Sequence, residues 1–210
     1  MKHLHDSSTT VHGPLVESSM PAMPTYSGSN SLGYLEAAVE DWKNLHEHIK
    51  KNVKLTAAYK TIAFVRIIEK ICQELCIPFD KGAKMDKPVR TVHGVEVCVD
   101  EIVGLFGRAP GTFQNHRTYY FQAAVVHKFL VSSHKTIKAA DTIVSARIAA
   151  LVTTNLDSTN VESTYESLSE LLQDVHMLQQ RYHIPMQKGK KSKVLKKSKH
   201  TTSQGETESE

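Results

Sequence analysis

The stretch VDEIVGLFGRAPGTFQNHRT, Val99 to Thr118, contains the clearest structural signal of the chain. Asp100 is placed to cap a short first helix. Three apolar residues then share one helix face: Ile102, Val103 and Phe106. Gly107 follows where a helix end favours a residue that tolerates positive φ. Pro110 suits the first turn of a second helix, because the N–H that it lacks would have no partner there. The stretch therefore predicts two helices joined by a tight turn.

The second helix of this pair presents polar side chains in its first turns. Phe113 is expected to face the core, and the residues around it are polar. A helix of this kind enters the major groove of duplex DNA with its first turns against base edges. We therefore predict that Gln114 and Asn115 address bases, while Thr112 and Arg117 contact phosphates.

This unit, residues 99–118, resembles the helix-turn-helix of LuxR-type quorum-sensing regulators and of sigma-factor region four, whose core reads roughly E-I-A-x-x-L-G-I-S-x-x-T-V-x-N-H. The residues that fall into that frame are Glu101, Ile102, Phe106, Gly107, Thr112, Phe113, Asn115 and His116. Arg108 stands where the family has an apolar residue between the helices. Ala109 replaces a Ser cap, which contributes about 1 kcal/mol. The resemblance implies a duplex DNA-binding regulator of transcription.

Apolar periodicity predicts further helices on both sides of this unit. Their expected spans are residues 31–53, 56–77, 110–133, 136–156 and 159–183, the last begun by a capping box of Thr159 and Glu162. We predict an all-α fold of five to six helices, a single bundle over residues 31–185 that contains the helix-turn-helix-like unit. Residues 1–30 and 186–210 are expected to be disordered, because they are polar and lack periodicity.

Residues 79–99 interrupt the helical pattern. Their glycines and Pro88 punctuate the segment, and VHGVEVCV has the alternation of one short strand. A two-stranded wing beside the helix pair would fit, but only this one strand is convincing. A basic series makes the loop a candidate phosphate-contacting edge: Lys81, Lys84, Lys87 and Arg90.

The excess positive charge of the chain lies in its last residues. The whole chain has 26 Lys and Arg and 22 Asp and Glu, and residues beyond 185 account for seven of the former and three of the latter. The body is therefore neutral. The tail lysines are Lys188, Lys190, Lys191, Lys193, Lys196, Lys197 and Lys199. Such a run is typical of a nuclear localisation signal or a nonspecific anchor on nucleic acid, and also of a solvated tail.

An apolar seam marks the last predicted helix. It consists of Leu168, Leu171, Leu172, Val175, Leu178 and Tyr182. Such a seam supports either self-association through residues 161–183 as a short coiled coil or packing against the chain's own bundle. The spacing of the apolar residues is compatible with both interpretations.

Several function classes lack support in the sequence. No metalloprotease, nucleophile-elbow or phosphate-loop motif is present, so we expect neither an enzyme nor a cofactor. Cys72, Cys76 and Cys98 form no zinc pattern and are expected to be buried free thiols. No apolar run is long enough for a membrane span, and the first residues resemble no signal peptide. We expect an intracellular protein, nuclear in a eukaryotic host and otherwise cytoplasmic.

Three functional hypotheses from different classes remain. The first is a duplex DNA-binding regulator acting through residues 99–118, with DNA favoured over RNA. The second is a helical protein that binds RNA or single strands, nucleocapsid-like, in which Tyr119, Tyr120 and Phe121 stack on unpaired bases. The third is a scaffold whose last helix pairs with a partner and whose body does not bind nucleic acid.

Overall fold

The computed structural model describes residues 31–133, 136–154, 156 and 164–185. Within these residues the chain forms six helices and one short hairpin, so the predicted all-α fold class is confirmed. The helices are α1 (Ser31–Lys51), α2 (Ala57–Glu74), α3 (Val99–Leu105), α4 (Pro110–Ser132), α5 (Ala139–Thr153) and α6 (Leu168–Arg181). The strands are β1 (Val89–Arg90) and β2 (Glu96–Val97). No described helix is both long and apolar enough to cross a membrane.

Contacts within the chain group into two compact units. The first unit comprises the described residues 31–48 together with Arg66–Phe113. Its interior is lined by apolar side chains from α1, α2, β2 and α3, which are Leu35, Val39, Ile67, Ile68, Ile71, Val97, Ile102 and Val103. In this unit the Trp42 indole donates to Glu74 Oε2 at 3.0 Å, which joins α1 to the end of α2.

The second unit comprises Ile49–Val65 and the residues from Gln114 onward. Its interior is built by the start of α2 and by α4, α5 and α6, through Ile62, Val65, Tyr120, Ala123, Val126, Leu130, Ile148, Leu151, Leu171, Val175 and Leu178. α2 buries residues around most of its circumference because it contributes to both interiors.

The seam of α6 is used within the chain. Leu171, Val175 and Leu178 have no exposed surface, and α6 packs against α5. The apolar seam is therefore buried by packing within the chain. Self-association through residues 161–183 would require this packing to open.

Three local predictions need correction, and the first is the burial of Cys76, which is exposed, whereas Cys72 and Cys98 are buried. The predicted helix start near Thr159 is wrong, because residues 164–167 are not helical and Ser167 caps α6 by accepting from the Glu170 amide at 3.2 Å. Thr159 and Glu162 lie outside the described residues. The single strand of 79–99 has a partner: Val89 pairs with Val97, in a hairpin closed by Gly94 at φ +80°. Two-residue strands are too short for any alternation to predict.

Candidate nucleic-acid interface

The first helix of the proposed recognition unit, α3, begins at Val99. Cys98 is its N-cap, and the Cys98 amide donates to Glu101 Oε2 at 2.7 Å. Asp100 was predicted to cap this helix, but it lies inside the first turn, and its amide donates to Met85 O at 3.1 Å. Burial, together with the nearby Asp86 carboxylate, raises the pKa of Asp100. The cap thus depends on Glu101, a residue that the family resemblance also includes.

The turn between α3 and α4 has the conformation that the sequence predicts. Gly107 has φ +66°, and its amide donates to Gly104 O at 2.9 Å, which closes the end of α3. Arg108 is exposed, so its substitution for the apolar residue of the family puts no charge into the interior. α4 begins at Pro110, as predicted, and the Phe113 amide donates to Ala109 O at 3.1 Å.

Aromatic contacts fix the first turn of α4 and the end of α3. Phe113 is only 1% exposed, and its ring lies 6.3 Å from that of Phe79. Phe106 packs edge-on against the buried His46, with 5.4 Å between ring centroids. The backbone that carries the polar residues of α4 is therefore held from beneath by packed rings.

The polar residues of the first turns face solvent. Thr112, Gln114 and Asn115 are all exposed. The Gln114 side-chain oxygen accepts a hydrogen bond at 3.0 Å from Arg117, so part of the Gln114 amide is already engaged. Asn115, at the next position, is exposed and presents its side-chain amide to solvent.

Arg117 does not occupy the place predicted for a phosphate contact. Its side chain is only 2% exposed, and its guanidinium carbon lies 5.3 Å from the centre of the Phe121 ring. The sequence holds a signal for this arrangement, because Phe113, Arg117 and Tyr120 are spaced by four and three residues and so share the buried face of α4. We reassign Arg117 as a positioning residue that orients Gln114.

The distribution of acidic residues is a further feature of this region, and the helix-turn-helix motif does not reveal it. No aspartate or glutamate occurs between Glu101 and Asp141, so α4 is free of acidic side chains along its whole length. The basic residues of the same interval are Arg108, Arg117, Lys128, Lys135 and Lys138. A polyanion that approaches α4 therefore meets no carboxylate of that helix, and the positive end of the helix dipole lies at Pro110.

The remaining residues predicted to contact nucleic acid lie in the tail, on α4 and in the hairpin region. The tail lysines, Lys188 to Lys199, lie outside the described residues. Tyr120 is buried, and Tyr119 and Phe121 are half-buried, so none of the three rings is fully presented for stacking. In the hairpin region, Lys84, Lys87 and Arg90 are exposed, and Arg90 Nε donates to Gly94 O at 3.2 Å. Within the described ranges, no three His, Cys, Asp or Glu side chains gather as metal ligands.

Comparison of the chain with protein-family models, with curated proteins and with solved structures finds no match.

Proposed function

We propose that the protein binds nucleic acid, with duplex DNA as the preferred form, and regulates transcription through the unit formed by residues 99–118. The observation that carries the proposal is the exposure of Thr112, Gln114 and Asn115 directly after the Gly107 turn. A helix that reads the major groove needs polar side chains there, on a backbone held in place from behind. The packing of Phe113 against Phe79 supplies that support.

The roles of the side chains follow from their surroundings. Asn115 is assigned to a base edge, and Gln114 to a neighbouring base in the orientation that Arg117 imposes. Thr112 and the exposed Arg108 are assigned to phosphates, with Arg108 taking the role first predicted for Arg117. The tail lysines add nonspecific affinity, and in a eukaryotic host they also direct nuclear import.

Selection from a random duplex library with the full chain tests the proposal. We expect an enriched sequence motif, and we expect Asn115→Ala to lose the preference at one position, since a good two-point contact discriminates by about 1–3 kcal/mol. Gln73→Ala is the matched control, because Gln73 is an exposed amide on α2. Recovery of random sequence by the wild-type chain, or a motif unchanged by Asn115→Ala, contradicts the proposal.

A further inference from the structure

The two helices of the α5–α6 pair run antiparallel and neutralise each other's charges. Near the start of α5, Asp141 accepts hydrogen bonds from Arg181 at the end of α6 and from the Tyr182 hydroxyl, the latter at 2.8 Å. In the middle of α5, Arg147 pairs with Glu170 at 2.8 Å and with Asp174 at 3.4 Å. The sequences of α5 and α6 contain no other Asp, Glu, Lys or Arg. Every charged side chain of the two helices therefore pairs with an oppositely charged side chain of the other helix.

The exposed residues of α5 and α6 that take no part in these ion pairs are uncharged and partly apolar. On α5 the exposed residues include Ile143, which is 69% exposed, with Ala139, Thr142, Ala146 and Thr153. On α6 a shallow groove of about 520 Å³ runs along one face and is lined by Ser169, Leu172, Gln173, His176, Met177 and Gln180. The centres of protein interfaces are depleted in charged residues, and none of the residues named here is charged. We refer to these residues of both helices as the neutral face.

The two ends of the α5–α6 pair carry opposite charges. Lys138, at the start of α5, is held beside α6 because its amide donates to the Tyr182 hydroxyl at 2.9 Å. Glu166 lies just before α6, and its amide donates to Glu170 Oε2 at 3.2 Å. Both side chains are exposed. One end of the helix pair is thus basic and the other acidic.

We propose that the neutral face binds the same face of a second copy of this chain. A twofold axis perpendicular to the helices would turn one copy end for end on the other, which sets Lys138 of each copy near Glu166 of its partner. The centre of the contact would then hold uncharged side chains on both sides, with no like charges opposed. This proposal is independent of the proposed function, and it uses the surface of α6 opposite the buried seam.

The size of the neutral face suits a weak or moderate dimer. At a rise of about 1.5 Å per residue each helix is about 21–22 Å long, and two helices side by side are about 20 Å wide. Standard interfaces bury about 800 Å² per partner, and transient ones bury less. We therefore expect concentration-dependent association rather than a permanent dimer.

Sedimentation velocity of the full chain, from low micromolar to several hundred micromolar, tests this proposal. We expect a monomer–dimer equilibrium in the wild type. Ala146→Lys and Ala146→Glu should each weaken association at least about tenfold, because like charges then oppose each other, and an equimolar mixture of the two variants should restore it. Val53→Lys is the control, since it adds the same charge at a position that is 93% exposed and lies outside the neutral face.

Two results overturn the proposal. One is a wild-type chain that stays monomeric over the whole range. The other is association of both Ala146 variants with the wild-type affinity, which would place the contact on another surface. Circular dichroism of each variant verifies that α5 is intact, and the recovery of the mixed sample shows directly that both variants are folded.

Discussion

Two arginines near the start of α4 differ in what they are able to contact. Arg117 is buried against Phe121 and bonded to Gln114, whereas Arg108 is exposed before the helix begins. A side chain that contacts phosphate releases counterions on binding and so contributes to the salt dependence of affinity. The burial of Arg117 assigns it to the fold, whereas the exposed Arg108 is the arginine available to the nucleic acid of our proposal.

We therefore predict opposite effects for Arg108→Ala and Arg117→Ala. Arg108→Ala should lower the slope of log affinity against log salt by about 1, and it should change the free energy of unfolding by no more than about 0.5 kcal/mol, as is usual at exposed positions. Arg117→Ala should lower the free energy of unfolding by about 2 kcal/mol, because a buried, packed side chain is truncated, and should leave the salt slope unaltered. Duplex titrations at several salt concentrations, with urea denaturation alongside, measure both quantities. A reduced slope for Arg117→Ala alone would reverse the assignment.

The buried carboxylate of Asp141 gives the fold a specific dependence on pH. The hydrogen bond from Arg181, helped by that from Tyr182, lowers the pKa of Asp141 below its usual value of 3.8 in spite of burial. The folded chain therefore binds this proton less readily than the unfolded chain. The resulting stability is complete above the unfolded pKa and is lost as the pH falls through the lowered folded one.

Asp141→Asn should accordingly destabilise the protein and flatten its acid unfolding. We expect the free energy of unfolding at neutral pH to fall by about 1–3 kcal/mol, since the charge-assisted hydrogen bonds of Asp141 are weakened. Below pH 4 the difference from wild type should shrink. Urea denaturation across a pH series measures it, with Asp41→Asn, an exposed carboxylate on α1, as the control. A constant difference at all pH values would be inconsistent with the lowered pKa.

At the scale of elements, two glycines of the α3–α4 connection make a matched pair. Gly104 lies inside α3, whereas Gly107 follows the end of α3 and has φ +66°. A Cβ atom added at either position would have open space around it. Gly107→Ala should lower the free energy of unfolding by about 1–2 kcal/mol, because the left-handed conformation is costly for alanine. Gly104→Ala should raise it by up to about 1 kcal/mol through helix propensity. Chemical denaturation measures both, and shifts of equal sign would refute the turn geometry.

Long helices with regularly spaced apolar residues were predictable from the sequence. Short strands and the exact caps of helices were less predictable. α1 ends within two residues of its expected end, and α4 extends from Pro110 to Ser132 as expected. The sequence indicated one strand of a possible two-stranded wing and not its partner, because two-residue strands show no period. The cap of α3 was misplaced because the Glu101 carboxylate, rather than that of Asp100, accepts the terminal amide. The predicted phosphate contact of Arg117 rested on its charge alone. Its position between Phe113 and Tyr120 on the buried face of α4 was not taken into account.

At the scale of the whole molecule, charge is divided between a neutral body and a lysine-rich tail. The sequence gives 26 basic and 22 acidic residues, and seven of the lysines lie between Lys188 and Lys199. A tail of this kind binds any polyanion, so binding by the wild-type chain does not by itself identify the α4 surface as a reader. The decisive comparison removes the charge of the tail and keeps the full chain.

Fluorescence anisotropy of the full chain with all seven tail lysines changed to glutamine tests the central claim most directly. Duplex DNA and single-stranded RNA of equal length are titrated at low and moderate salt, with and without Asn115→Ala. We predict that the tail-neutralised chain still prefers the duplex and that Asn115→Ala weakens this binding about tenfold. Preference for single strands, or no binding at low salt, would contradict duplex recognition by residues 99–118.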